Sequence, residues 1–167
     1  MSAILQIAGI VKESIVDGPG FRYVVFTQGC KHHCPGCHNP HTHSFEGGIS
    51  VSADSLLEEM RKNPLLDGLT LSGGEPFEQA EACVELASKA HASGLNVMTY
   101  TGYTFEAIQS SGHEGWRDLL VSTDILVDGR FELEKKNLLL KFRGSENQRI
   151  IDVKKSLENQ AVVIAEI

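Results

Sequence analysis

Apolar positions along this chain come in short runs separated by turn residues, and the runs switch period. FRYVVFTQG (residues 21–29) crowds β-branched and aromatic side chains and stops at glycine, which predicts a buried strand. SADSLLEEMRKN (52–63) carries helix formers behind Ser52, a residue suited to cap a helix N-terminus. LTLSGG (69–74) reads as a short strand closed by glycines. EQAEACVELASKAHASG (78–94) places Ala80, Cys83, Val84, Ala87 and Ala90 on one helical face, with Gly94 as its stop. LNVMTYTG is a third strand, TFEAIQSS a helix capped by Thr104 and extended by WRDLLVS, and DILVDG a fourth strand. QRIIDV and AVVIAEI are two further strand candidates. Strands alternating with helices predict a parallel sheet. Ligands bind such sheets at the C-terminal ends of the strands. The loops CKHHCPGC, SGGEP, TGYT and VDGRF each follow a strand directly, so all four are expected on one edge.

Composition adds bounds. The 167 residues suit a single domain spanning 1–167, and 41% hydrophobic side chains supply a core. No run approaches the roughly 20 apolar residues of a membrane span. The first residues, MSAILQIAGIVKESIV, lack a basic start, a sustained apolar stretch and a small-residue cleavage site, so the expected location is cytoplasmic. A net charge of −7 argues against a general nucleic-acid binder. The basic cluster KKNLLLKFRG, with Arg149 beyond it, reads as a solvated face.

The chemistry concentrates in GCKHHCPGCHNPHT (29–42), which holds three of the four cysteines and four of the seven histidines. Clustered thiols without a leader are expected to bind metal rather than form disulfides. The spacing C-x3-C-x2-C of Cys30, Cys34 and Cys37 is not the paired C-x2-C pattern of structural zinc. A histidine among His32, His33, His38, His41 and His43 could still complete a zinc site, which leaves a zinc-binding structural module open. A cubane iron–sulfur cluster takes four thiolates, one per iron, so three cysteines leave one iron open to a small ligand. Cys83 lies on the apolar helical stripe and reads as a buried free thiol.

C-x3-C-x2-C after one strand, with Gly73-Gly74-Glu75-Pro76 after the next, resembles the radical S-adenosylmethionine enzymes. DGPGFRYVVFTQGC, CPGCHNP and DILVDGRFELEKKNLLLKFRGSENQRIIDV resemble in particular the activases of the anaerobic (class III) ribonucleotide reductase, and the likeness spans residues 7–153. The resemblance implies an α/β fold, a partial, open βα barrel with a mostly parallel sheet. It implies a 4Fe-4S cluster on Cys30, Cys34 and Cys37, with S-adenosylmethionine chelating the fourth iron. It assigns Gly36, Cys37, His38, Gly73, Gly74 and Glu75 to cofactor binding, Glu75 either facing the ligand's positive charge or capping the helix that follows. Gly36 stands where the superfamily usually has an aromatic residue, and glycine there is a feature of the reductase activases. The implied reaction is hydrogen abstraction from a glycine of the reductase's glycyl-radical subunit, with the radical borne by the cofactor and no catalytic side chain. The implied partners are that subunit and a low-potential electron donor such as flavodoxin, with neither nucleic acid nor membrane involved. Activation of another glycyl-radical enzyme such as formate-lyase, or of a small molecule, is the neighbouring reading.

Three further features carry expectations. Asp17-Gly18-Pro19-Gly20 is a turn by composition. Asp128, ending the fourth strand, is expected to reach ribose hydroxyls. Arg143, Asn147, Gln148 and Arg149 offer planar hydrogen-bonding groups to the backbone of a bound peptide.

Overall fold

The computed structural model describes residues 2–37 and 39–167. Seven strands form one sheet: β1 (Ile4–Ser14), β2 (Arg22–Thr27), β3 (Ile49–Ser52), β4 (Gly68–Gly73), β5 (Asn96–Tyr100), β6 (Ile125–Asp128) and β7 (Arg149–Asp152). Their order is β3-β1-β2-β4-β5-β6-β7. The four middle strands are parallel, and the outer pairings, β3 to β1, β1 to β2 and β6 to β7, are antiparallel. Five helices, α1 (Ala53–Arg61), α2 (Ala80–Ala92), α3 (Phe105–Ser110), α4 (Glu114–Val121) and α5 (Val153–Asn159), connect or follow them.

Strand alternation sorts the side chains. Tyr23, Val25, Leu69, Leu71, Val97 and Leu126 join the helical core with Met60, Leu86 and Leu119, whereas Arg22, Val24, Phe26, Met98 and Tyr100 belong to the other register. Helices therefore cover one face. Parallel strands taken in chain order with helices on one side make a sector of a barrel, and β3 and β7 remain unpaired with each other. The α/β class and the open barrel agree with expectation, with the parallel part confined to the centre.

Local signals account for the matches. Ser52 Oγ accepts from Ser55 N (3.1 Å) and Thr104 Oγ1 from Ala107 N (3.1 Å), so both expected caps form. Gly94 adopts φ +85° after α2. The expected long helix from Thr104 breaks into α3 and α4 at Ser111, whose backbone is extended.

The C-terminal expectation fails in part. QRIIDV supplies β7, but Asp152 then caps α5 by accepting from Lys155 N (3.0 Å). Residues 161–167 form no strand; they contribute an isolated bridge between Ile164 and Ile151. β1 and β3 were not expected. β1 contains Ala8 and Gly9, which blur its alternation, and β3 is only four residues long.

The turn at Asp17 to Gly20 is structural, as expected. It closes over Arg22, whose guanidinium is fully buried and donates to Thr70 Oγ1 (2.7 Å), Leu69 O (2.9 Å) and Pro19 O (3.0 Å). Burial draws its pKa down to about 10, which still leaves it charged at neutral pH.

Candidate functional site

All four strand-end loops meet. Cys30, Cys34 and Cys37 after β2, Gly73 and Gly74 at β4, Thr101 and Gly102 after β5, and Gly129 to Phe131 after β6 line one cavity of about 510 Å³. Parallel strands impose this, because all four point their C-terminal ends the same way.

The cysteine loop is tied down at its base. Gly29 N donates to Thr42 O (2.7 Å), Cys30 N to His43 O (3.1 Å), and Gln28 Nε2 to His41 O (3.1 Å) and Ser44 O (2.5 Å). Cys37 N donates to Cys34 O (3.1 Å), a tight turn that passes through Gly36 at φ +75°. Gly36 is not in the cavity wall; its Cα faces Leu133 and Phe131, so it serves the turn. Burial is the main cause that raises the Cys30 and Cys34 thiol pKa values. His38 lies outside the described residues.

Gly73 and Gly74 line the cavity as expected, but the structure gives them a different reason for being glycine. A Cβ on Gly73 would fall 2.5 Å from Thr27 N, and one on Gly74 would fall 2.5 Å from Gly29 O. Both face neighbouring backbone at the end of β2. Gly74 N also donates to Thr27 O (2.8 Å) and Glu75 N to Gly29 O (2.8 Å). The end of β4 thereby supports the residue that precedes Cys30.

Glu75 performs the capping task of its two expected ones. Its side chain is fully buried and Oε2 accepts from Phe77 N (3.2 Å), capping the short helical turn Pro76–Gln79. The same carboxylate accepts from His32 Nε2 (2.6 Å), Gly102 N (2.8 Å) and Thr101 Oγ1 (2.9 Å). Four protein donors converge on it. The His32 side chain is 4% exposed and lies edge-on to Tyr103 at 4.6 Å. Its ring also fills the space beside Gly102, where a Cβ would fall 2.5 Å from Cδ2. His32, Thr101 and Gly102 were missed as site-building residues; TGYT marked the loop but not the bond.

Two other expectations are corrected. Asp128 is 1% exposed and accepts from Arg149 Nε (3.0 Å), Arg149 Nη2 (2.5 Å) and Phe105 N (2.8 Å), so it joins β6, β7 and α3 instead of reaching for ribose. Arg149 also pairs with Glu106 at 2.6 Å. Arg143 donates to Glu146 O and Gln148 O, Gln148 Oε1 accepts from Gly144 N and Ser145 N, and Asn147 Nδ2 donates to Arg130 O. Arg143 is bonded within its own segment, and Asn147 and Gln148, whose Nε2 donates to Gly129 O (3.0 Å), tie that segment to the loop after β6.

The residues fit an iron–sulfur cluster. Three soft sulfur donors from one loop, all free thiols, face a single cavity. They surround it rather than converge: among the described residues no three His, Cys, Asp or Glu side chains stand close enough to hold one ion. The glycine-lined opposite wall presents backbone instead of bulk.

Comparison with known proteins gives consistent likenesses. The 4Fe-4S single cluster domain family matches residues 16–151. The anaerobic ribonucleoside-triphosphate reductase-activating protein of Vibrio cholerae is 34% identical over 144 residues, covering 81% of this chain and 90% of that protein. The protein of the same name from Enterobacteria phage T4 is 35% identical over 143 residues, covering 81% and 86%. The pyruvate formate-lyase-activating enzyme of Clostridium pasteurianum is 34% identical over 128 residues, covering 73% of this chain but 50% of that enzyme.

Proposed function

The chain belongs to the 4Fe-4S single cluster domain family and, within it, to the anaerobic ribonucleoside-triphosphate reductase-activating proteins, and from this premise we propose that it installs the glycyl radical of that reductase. Bound there, a 4Fe-4S cluster would supply the electron that splits S-adenosylmethionine into methionine and a 5′-deoxyadenosyl group able to take a hydrogen atom from a partner glycine. Cys30, Cys34 and Cys37 hold the cluster as thiolates. Gly73 and Gly74 give the cofactor an unobstructed wall, and Glu75 with His32 keeps that wall registered against the cysteine loop. Phe131, Leu140 and Phe142 give the cavity part of an apolar lining, and the seated partner completes the exclusion of water that a radical step needs. The whole chain acts as one activase domain.

The observation that carries this reading is the gathering of three thiols and the Gly-Gly strand end on one cavity. Choice of the reductase over formate-lyase rests on length, since the reductase activator from Vibrio cholerae is covered over 90% and the formate-lyase activator over half. Free thiols suit a reducing cytoplasm, and no helix of the described residues is long and apolar enough to cross a membrane. A low-potential donor of the flavodoxin type supplies the electron.

The test is anaerobic. Reduced, iron-loaded protein with S-adenosylmethionine and the reductase should give a glycyl doublet by electron paramagnetic resonance, lost when the partner glycine becomes alanine. A doublet on formate-lyase alone would overturn the choice of partner. A colourless zinc protein that never cleaves S-adenosylmethionine would overturn the chemistry.

A further inference from the structure

Arg143 and Gln148 brace a hairpin, which raises the question of what the hairpin presents. An antiparallel bridge between Lys136 and Ser145 closes it, and Asn137 N donates to Gly144 O (3.2 Å). At the tip, Asn137 Oδ1 accepts from Leu139 N (2.9 Å), the bond of an Asx turn. Gln148 Oε1 accepts from Gly144 N (2.8 Å) and Ser145 N (3.1 Å). Tyr100, from the end of β5, donates its hydroxyl to Phe142 O (2.5 Å). Phe142 sits at φ +63°, a left-handed conformation that a bulky residue keeps only where its surroundings hold it.

This rigid element presents leucine to solvent. Leu138 is 83% and Leu139 91% exposed, the highest values among the exposed large hydrophobic side chains. A single exposed leucine is ordinary. Two adjacent ones on a hairpin held by at least five hydrogen bonds are not, because a preordered apolar tip loses little entropy on burial against a partner. The hairpin also forms a wall of the thiol cavity through Leu140, Phe142 and Arg143. A polypeptide whose glycine enters that cavity must pass it.

Charge narrows the occupant. Lys136 and Lys141 flank the leucines and make no ion pair among the described residues, in a chain whose net charge is −7. A symmetric contact with a second copy through this hairpin would set these lysines against their own equivalents. It would also cover the cavity.

We propose that hairpin 136–145 is the docking element for the reductase, with Leu138 and Leu139 seated in an apolar pocket bordered by carboxylates on that partner. The proposal rests on the reading of the reductase as substrate. Arg143 and Gln148 support the hairpin from behind and do not hydrogen-bond the bound peptide.

The experiment uses the full iron-loaded chain and purified reductase. Affinity is measured by sedimentation for wild type, Leu139→Asp and Leu139→Met, and S-adenosylmethionine cleavage is measured without reductase. Leu139→Asp should bind the reductase about tenfold more weakly or worse, as expected for an apolar anchor made charged. Leu139→Met should bind normally, and cleavage without partner should be the same in all three. Wild-type affinity in Leu139→Asp, with the reductase still bound and radicalised, overturns the docking element and leaves the substrate reading intact. Failure of the wild type to bind or radicalise the reductase overturns both. A wild-type dimer that Leu139→Asp dissociates, without change in reductase affinity, assigns the tip to a second copy and overturns the proposal.

Discussion

Cys30 and Cys83 are both buried thiols whose pKa burial raises, and they differ in place: Cys30 lines the cavity at the strand ends, and Cys83 does not. Cys83 is fully buried in the core stripe of α2, and burial pushes its thiol up to about 12, so it is inert. Cys83→Ala should keep its iron and lose about 1 kcal/mol in a denaturant titration, the cost of a small cavity. Cys30→Ala, Cys34→Ala and Cys37→Ala should each lose the broad visible absorbance of the cluster after anaerobic reconstitution. Gly74→Val should lose iron as well as stability, because its Cβ would fall 2.5 Å from Gly29 O, next to Cys30. A folded Gly74→Val protein with full iron content and weakened S-adenosylmethionine affinity would instead assign the glycine to the cofactor. The three cysteines were legible in the sequence because their spacing is local. The work of Glu75 was only half legible. Its cap on Phe77 is a neighbour effect, but His32, Thr101 and Gly102 lie 43, 26 and 27 positions away and meet it only through the parallel strand order.

Among the elements, β7 depends most on one bond network. It runs antiparallel to β6, and Asp128 faces Arg149 across the pair. Asp128 is buried and also caps the start of α3 at Phe105, so one carboxylate fastens three elements. Arg149→Met should cost about 2 kcal/mol, the penalty for leaving a buried carboxylate short of donors. Combining it with Asp128→Asn should cost less than the sum of the two, which a double-mutant cycle would read directly. Arg149 also holds Glu106 below the usual glutamate range by a hydrogen bond. A depressed folded value means that this stabilisation is present above the ordinary glutamate pKa and fades as pH falls through the folded one. The stability gap between wild type and Glu106→Gln should therefore be small near neutrality and vanish in acid, since Glu106 is well exposed. The helices and middle strands were legible because caps and glycine stops are written locally. β1 was not, since register shifts beside Gly9 and near Ser14 interrupt its period of two. The tail 161–167 looks like a strand because it is apolar and β-branched, but β7 is followed at once by α5, and the returning chain meets β7 only through an isolated bridge.

For the molecule as a whole, the tail matters more than its lack of regular structure suggests. Asp152 N donates to Val163 O (2.9 Å) and Ala165 N to Ile150 O (2.9 Å), so the tail lies along the outer edge of β7. Deleting residues 161–167 would bare that edge. The shortened protein should self-associate in sedimentation at concentrations where the full chain does not, as an open strand edge recruits a neighbour. The opposite consequence follows from the face that has no helices. A sheet that runs from β3 to β7 without closing leaves one flank of its cavity to be supplied from outside. A vessel with a missing side leaks. Without its partner the protein should consume S-adenosylmethionine unproductively, the radical being quenched by solvent or by the protein itself. The ratio of 5′-deoxyadenosine formed to glycyl radical stored then becomes a gauge of the seal: near parity when the reductase is seated, and rising as soon as the fit is loosened.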